Sequence, residues 1–522
     1  MSSNRSFRIG SILVPLIAAA LTAGVVNSAH ADPVQPDIFG PVAQTSETHL
    51  WSSMQRARVP FDVSDYGFVE EEFFLSGQSN IYENAADGVK AVGQADYINN
   101  ILVRRPSDLD KFSGVVLVDV LNASNGFPGE DHWRRMWQWA LDEGHAVIGL
   151  TSKPIQIDAL HNYDADRYAD LTWDLDPDAA REPIIADPKD PAGFNPHMVV
   201  PGAEEGLVWD IITQLGVVLD GDQAGKILGG MTPETAILMG QSQSGVYVRT
   251  YVNRFHQVQE DAAGHSVWDG YLITVGGSME RPLTQTDEGG LTFEPPAPAS
   301  HGVPLISVSA EGDALLFGFD QLAERELQTN EYEWQVPGAP HTDLLSSVIP
   351  ADSEIYQAGR LPNLDVQDEE FREAVSLYPI EPAVVAAAQA LIDWNQDGRR
   401  PGASLWLEQD NGAFVTNDAG NVAGGLTYGL FEYPLGEYSG AAEPGAVYGS
   451  MELMSKEEFA KAYGTREQYL AKIRAFDETR LQEGYLTPWG AEYLEDVANR
   501  LLDRMGVPMG DESPPMPPAT GD

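Results

Sequence analysis

The sequence predicts an α/β fold: a doubly wound, mostly parallel sheet with a long insertion and a C-terminal, largely helical extension. Three observations lead there. From residue 115 to 336, short apolar runs alternate with segments of helical periodicity, the pattern of successive strand-helix units. The run Val-Val-Leu-Val-Asp-Val-Leu at 115–121 is almost continuously apolar, as expected of a central strand covered on both faces. The run Ala-Ile-Leu-Met at 236–239 passes into Gly240-Gln241-Ser242-Gln243-Ser244-Gly245, and then into a segment where Val248, Tyr251, Val252 and Phe255 recur at helical spacing.

Taken in order, the chain opens with Arg5 and Arg8, an apolar stretch over 9–26, and Ala29-His30-Ala31 before Asp32. That is the pattern of a secretory signal peptide cleaved after Ala31. Residues 33–56 read as an irregular lead-in, and β-rich runs over 66–97 as antiparallel strands at a sheet edge. After the 115–121 strand, Asn122-Ala-Ser-Asn-Gly126 forms a loop. A helix follows over 131–143, with Trp133, Met136, Trp137, Ala140 and Leu141 on one face and Gly144 ending it. Residues 146–150 are the next strand.

The stretch 151–203 is long, polar and rich in Pro and Asp, and reads as an insertion over a site. A helix over 203–220 precedes the 236–239 strand. Strands over 271–275 and 304–309, a helix over 319–328 and a strand over 332–336 complete the core, which spans 32–355. In the extension, 356–505, helices are expected at 382–395, 456–483 and 488–505. The segment Asn417-Asp-Ala-Gly-Asn421 lacks the Glu of a calcium loop and reads as a polar turn. The Pro-rich tail, 506–522, is expected to be disordered.

Composition narrows the function. The chain has no cysteine, which excludes thiol catalysis and thiolate-bound metals. Its formal charge is −48, and about −50 once Arg5 and Arg8 leave with the leader; only eight residues are lysine. Such a surface repels nucleic acid and anionic membranes. After the leader, no stretch approaches the about 18 apolar residues that span a bilayer. Neither a phosphate-binding Gly-x-x-x-x-Gly-Lys-Ser/Thr loop nor a Gly-x-Gly-x-x-Gly turn is present, and no His-Glu-x-x-His pair points to a metal. No cofactor is expected.

The chemistry centres on Ser242. A serine between strand and helix is exposed on a sharp turn, and the residues two before and two after it must be small. Gly240 and Ser244 meet that condition around Ser242. Around Ser244 the flanks are Ser242 and the β-branched Val246, so Ser242 is the candidate nucleophile. A hydroxyl needs a base, and the base needs an acid to hold its tautomer. The 304–309 strand ends in Ala310-Glu311-Gly312-Asp313, and the 332–336 strand in Pro337-Gly-Ala-Pro-His341. Asp313 is the candidate acid, with Glu311 in the same turn as the alternative. His341 is the candidate base and the sole histidine after the acid; His301 lies at the wrong end of its strand. The oxyanion donors are expected to be the Gln243 N–H and one from the loop after residue 121, Asn122 or Ala123.

Met239-Gly-Gln-Ser-Gln-Ser-Gly245, Leu117-Val-Asp-Val-Leu-Asn122, Pro337-Gly-Ala-Pro-His341, Trp209-Asp-Ile-Ile-Thr-Gln214 and Gly420-Asn-Val-Ala-Gly-Gly425 together resemble the secreted α/β-hydrolase domain-containing proteins. With the 457–486 region, the resemblance covers most of the mature chain. It departs at Val246, where family members often carry Arg or another polar residue. The resemblance implies the α/β-hydrolase fold, ester hydrolysis and no cofactor. The substrate is then a small or polymeric ester, with the 151–203 insertion and the 356–505 region walling the pocket and Trp173 or Trp406 touching an apolar or aromatic group. The same three residues also suit an amidase, peptidase or acyltransferase, and a non-catalytic secreted binding protein on this fold is the alternative from another class.

Overall fold

The computed structural model describes residues 35–509 except 46, 86–87, 177–181, 286–301, 343, 345–347 and 442–446. The expected leader, His301 and the tail from residue 510 lie outside the described residues.

Among the described residues, nine strands form the central sheet: β1 (Asp37–Phe39), β2 (Phe68–Ala85), β3 (Gly88–Pro106), β4 (Val115–Val120), β5 (Ala146–Leu150), β6 (Thr235–Gln241), β7 (Gly270–Thr274), β8 (Leu305–Ala310) and β9 (Glu331–Val336). Their order is β1-β2-β3-β5-β4-β6-β7-β8-β9. The β1, β2 and β3 edge is antiparallel and joins antiparallel to β5, and every pairing from β5 to β9 is parallel. All residues of β4 to β8 are buried, so their runs are apolar on both faces rather than alternating.

Successive side chains of a strand serve opposite faces. Leu117, Val147, Ile237 and Met239 pack with α1 (Asp131–Glu143) on one side, while Val116, Val118, Ile148 and Leu238 face the other. That second face carries α2 (Pro154–Tyr163), α3 (Val208–Asp220), the short α4 (Ala224–Ile227), α5 (Gln243–Arg254) and α6 (His256–Ala263). Gly144 ends α1 at φ +74°, where a Cβ would lie 2.1 Å from the Lys111 carbonyl oxygen. Short helices α7 (Asp313–Phe317), α8 (Asp352–Gln357) and α9 (Glu369–Ala374) follow the later strands.

The extension packs on the α1 side. Ala383, Ala386, Ala387 and Ala390 of α10 (Glu381–Asp397) are buried against the sheet, and small side chains let that helix lie close. Beyond α11 (Gly429–Glu432), α12 (Lys456–Tyr463), α13 (Arg466–Glu483) and α14 (Pro488–Arg504) bury Phe459, Tyr469, Ile473, Leu494 and Leu501 in the same core.

Several elements differ from the sequence expectation. The lead-in contains β1, and Trp139 as well as Trp133 faces the α1 core. The 151–203 stretch contains α2, whose Gln156 and Asp158 are buried beside Ile155 and Ile157; a helix dry on all sides shows no amphipathic period. Residues 319–328 form only a 3₁₀ turn, Phe319–Leu322. One turn already places Phe319 and Leu322 against Leu407 and Val422, the chain leaves it extended at Ala323, and Arg325 pairs with Glu331 and Glu333. The helix expected over 456–483 is two helices, because Thr465 caps a new one through the Gln468 N–H.

Candidate active site

Ser242 sits between β6 and α5 at φ 53°, ψ −122°, a region that L-residues rarely occupy. The turn is so tight that a Cβ on Gly240 would lie 2.3 Å from the Ser244 carbonyl oxygen. Ser244 is fully buried; its hydroxyl donates to the Gln241 carbonyl and accepts from the Gln241 N–H, both at 2.9 Å. Ser242 is half-buried, and its N–H donates to the Thr274 carbonyl at the end of β7.

The loops after β8 and β9 close over this turn. They are stitched together by Glu311 N–H to Val336 O and Gly312 N–H to Ala339 O. A Cβ on Gly312 would lie 2.6 Å from the His341 nitrogen, so glycine permits the approach. His341 Nε2 is 2.8 Å from Ser242 Oγ, and His341 Nδ1 is 2.7 Å from Asp313 Oδ1. Asp313 Oδ2 accepts the Ala310 N–H. The Glu311 carboxylate turns elsewhere: it accepts the N–H groups of Gly338, Gly440 and Ala441, and burial pushes its carboxyl up against those bonds.

The Gln243 N–H is the first of α5, where no preceding turn supplies an acceptor. Asn122 differs from expectation. Its N–H donates to the Gly129 carbonyl at 2.8 Å and its Nδ2 to the Gln241 carbonyl at 3.0 Å, so both its donors anchor the loop to its surroundings. The neighbouring Ala123 N–H instead donates to Gln243 Oε1, and Gln243 Nε2 has no partner among the described residues.

Beneath the turn lies a polar layer that sequence reasoning missed. Arg135 Nε donates to Gln241 Oε1 and its Nη1 to Glu381 Oε1. His132 bridges Asp119 and the Thr274 hydroxyl. The available signal was Asp119, a lone acid in an otherwise apolar strand.

Ser242, Gln243 and His341 open on a cavity of about 980 Å³. Phe127, Val246, Phe317 and Ile349 supply apolar wall, the extension adds residues that include Leu361 and Tyr448, and among the described residues of the 151–203 stretch only His197 joins them. Trp173 and Trp406 are not among the lining residues; Trp173 is buried with its Nε1 on Asn99. Asn417 forms a turn whose side chain accepts the Ala419 and Asn421 N–H groups. Among the described residues no group of three or more His, Asp or Glu is placed to hold a metal, and no helix is long and apolar enough to cross a membrane.

The family model described as "Alpha/beta hydrolase domain" matches residues 38–495. The chain belongs to that family. No curated protein matches it. Among solved structures, a putative dienelactone hydrolase from Klebsiella pneumoniae subsp. pneumoniae MGH 78578 is 10% identical, over 62% of this chain and 99% of its own, at a TM-score of 0.29. The esterase Est22 is 14% identical over 52% and 72%, at 0.28. A Rhizomucor miehei esterase is 11% identical over 62% and 85%, also at 0.28. TM-scores this low say nothing of this α/β-hydrolase's own activity.

Proposed function

We propose that this α/β-hydrolase cleaves carboxylic esters through Ser242, His341 and Asp313. The observation that carries the proposal is the continuous path from Ser242 Oγ through both nitrogens of His341 to Asp313, opening on the cavity. Asp313 holds Nδ1 protonated, so Nε2 is free to take the Ser242 proton as Oγ attacks the ester carbonyl carbon. The Gln243 N–H faces the developing oxyanion, joined by the Ala123 N–H once Gln243 Oε1 gives way, while Asn122 holds that loop in place. His341 returns its proton to the leaving alkoxide, and water, activated by the same imidazole, releases the acid from Ser242. No cofactor takes part. We also propose that the protein is exported, secreted or periplasmic, with cleavage after Ala31; an exported chain whose N-terminus is Asp32 is the expected result.

Hydrolysis of p-nitrophenyl esters of graded acyl length tests the chemistry, with Ser242→Ala as the control. The expected loss is at least about 10⁴-fold in kcat with folding retained. Activity that survives in a folded Ser242→Ala would remove the nucleophile assignment. Acyl transfer to added alcohols, or cleavage of the matching anilides, would move the reading to an acyltransferase or amidase on the same residues.

A further inference from the structure

The cavity wall has the opposite charge balance to the rest of the chain. The sequence holds 79 acids against 31 Lys and Arg, yet the described residues lining the cavity include four arginines and two acids. Two of those arginines are matched: Arg58 pairs with Asp352, and Arg134 lies 3.3 Å from Asp131. Arg281 is different. It is only 6% exposed, and Lys153, 1% exposed, stands behind it. Both cations share one carboxylate, Glu205, with Lys153 Nζ 3.2 Å from Oε2 and Arg281 Nη2 on Oε1, where the Tyr247 phenol also donates. The adjacent Glu204 is spent on the N–H groups of Gly206 and Gln285.

Two basic side chains therefore meet one carboxylate at a largely buried wall, where burial, countered by Glu205 and reinforced by Arg281, holds the Lys153 ammonium below its usual range, while the Arg281 guanidinium keeps its charge. Burial of a cation without a matching anion is unfavourable unless an anion arrives. Arg281 also keeps a donor to spare: its Nε is buried without a hydrogen-bond partner among the described residues, while the rest of its guanidinium is bonded to Glu205 and the Tyr247 phenol. His197, on the same wall, is held down to about 4 by burial, and then by Lys153 and Arg281. It therefore stays neutral at pH 7 and adds no charge of its own to the wall. Position fits the reacting centre as well. Arg281 is tied to α5, its N–H on Thr250 Oγ1 and its guanidinium beside the Tyr247 ring. Arg281 and Ser242 line the same cavity.

We propose that Arg281, backed by Lys153, is a subsite for a carboxylate carried by the substrate, so that the preferred esters are half-esters of short dicarboxylic acids. A guanidinium presents its donors in a planar fork that suits a carboxylate. The proposal rests on the ester-hydrolase reading, and the test separates the two. It compares kcat/KM for mono-p-nitrophenyl glutarate with that for p-nitrophenyl 5-methylhexanoate, which has the same shape without the charge. Because both rates come from one preparation, their ratio is independent of the folded fraction. The parent is expected to favour the half-ester by roughly 10- to 100-fold. In Arg281→Gln the ratio should fall to near one, with Arg281→Lys between. Free glutarate should inhibit cleavage of the neutral ester by the parent, beyond the effect of equal ionic strength from NaCl, a reading that needs no variant. Cleavage of both esters without preference, a preference that survives Arg281→Gln, or no inhibition by glutarate would overturn the subsite while leaving the esterase reading intact. Cleavage of neither ester by the folded parent would overturn both.

Discussion

At the turn after β6, position is enforced atom by atom. Ser242 is held in a rare backbone conformation, Gly240 has no room for a methyl group, and the side chains of Gln241, Ser244 and Asn122 all have specific polar partners. The layer of α10, α13 and α14 is as dry, but it is built mainly from Ala, Val, Leu and Ile volumes. Hydrogen bonds depend steeply on distance and angle, whereas apolar burial is non-directional. The first region therefore buys geometry and the second supplies stability. Damage to each should read out differently, activity in the one case and unfolding free energy in the other.

The largest expected effect tests the first half of that contrast. Asp313→Asn leaves the turn in place but loses the grip on the His341 tautomer, so kcat should fall by about 10⁴-fold with the melting temperature nearly kept. Glu311→Gln, two residues away, should do the reverse. It puts an amide NH₂ among backbone N–H groups and should lower stability by about 1–3 kcal/mol, with the active fraction retaining its kcat. Equal kinetic losses in the two variants would mean that the loop cannot separate acid from anchor.

Leu501→Ala probes the other region. Its side chain is fully buried in α14, and its loss should lower the unfolding free energy by about 2–5 kcal/mol. Esterase activity per folded molecule should stay level. A matching fall in kcat would show that the helical layer sets the geometry of the site.

A smaller effect concerns pH. His145, capped by Ser113 and packed on Trp139, is held down to about 4 by burial. The unfolded chain takes a proton near 6.5 that the folded one refuses, so this contribution to stability is present above 6.5 and is lost as pH falls toward 4. Between pH 6.5 and 5 the linkage amounts to about 1.5 kcal/mol. His145→Gln should flatten the denaturant midpoint over that interval; an unchanged slope would show that His145 is protonated in the folded state.

What could be read from the sequence alone was local. The strands of the parallel sheet announce themselves as apolar runs because both their faces are covered. Ser242, not Ser244, follows from the small-neighbour requirement within one turn, and His341 from its place after β9. The fold class followed from alternation, and the family match over residues 38–495 agrees with it. The rest depends on partners distant in the chain. Whether Asp313 or Glu311 faces His341 is settled by the amides of Gly338, Gly440 and Ala441, which take up one of the two carboxylates. Where the Asn122 and Ala123 N–H groups point is decided by Gly129 and Gln243, which accept them. The shared carboxylate of Lys153 and Arg281 joins three segments that no spacing relates. Propensity and periodicity are carried by neighbours in sequence, but the aim of a side chain is set by whatever the fold brings within about 3 Å of it.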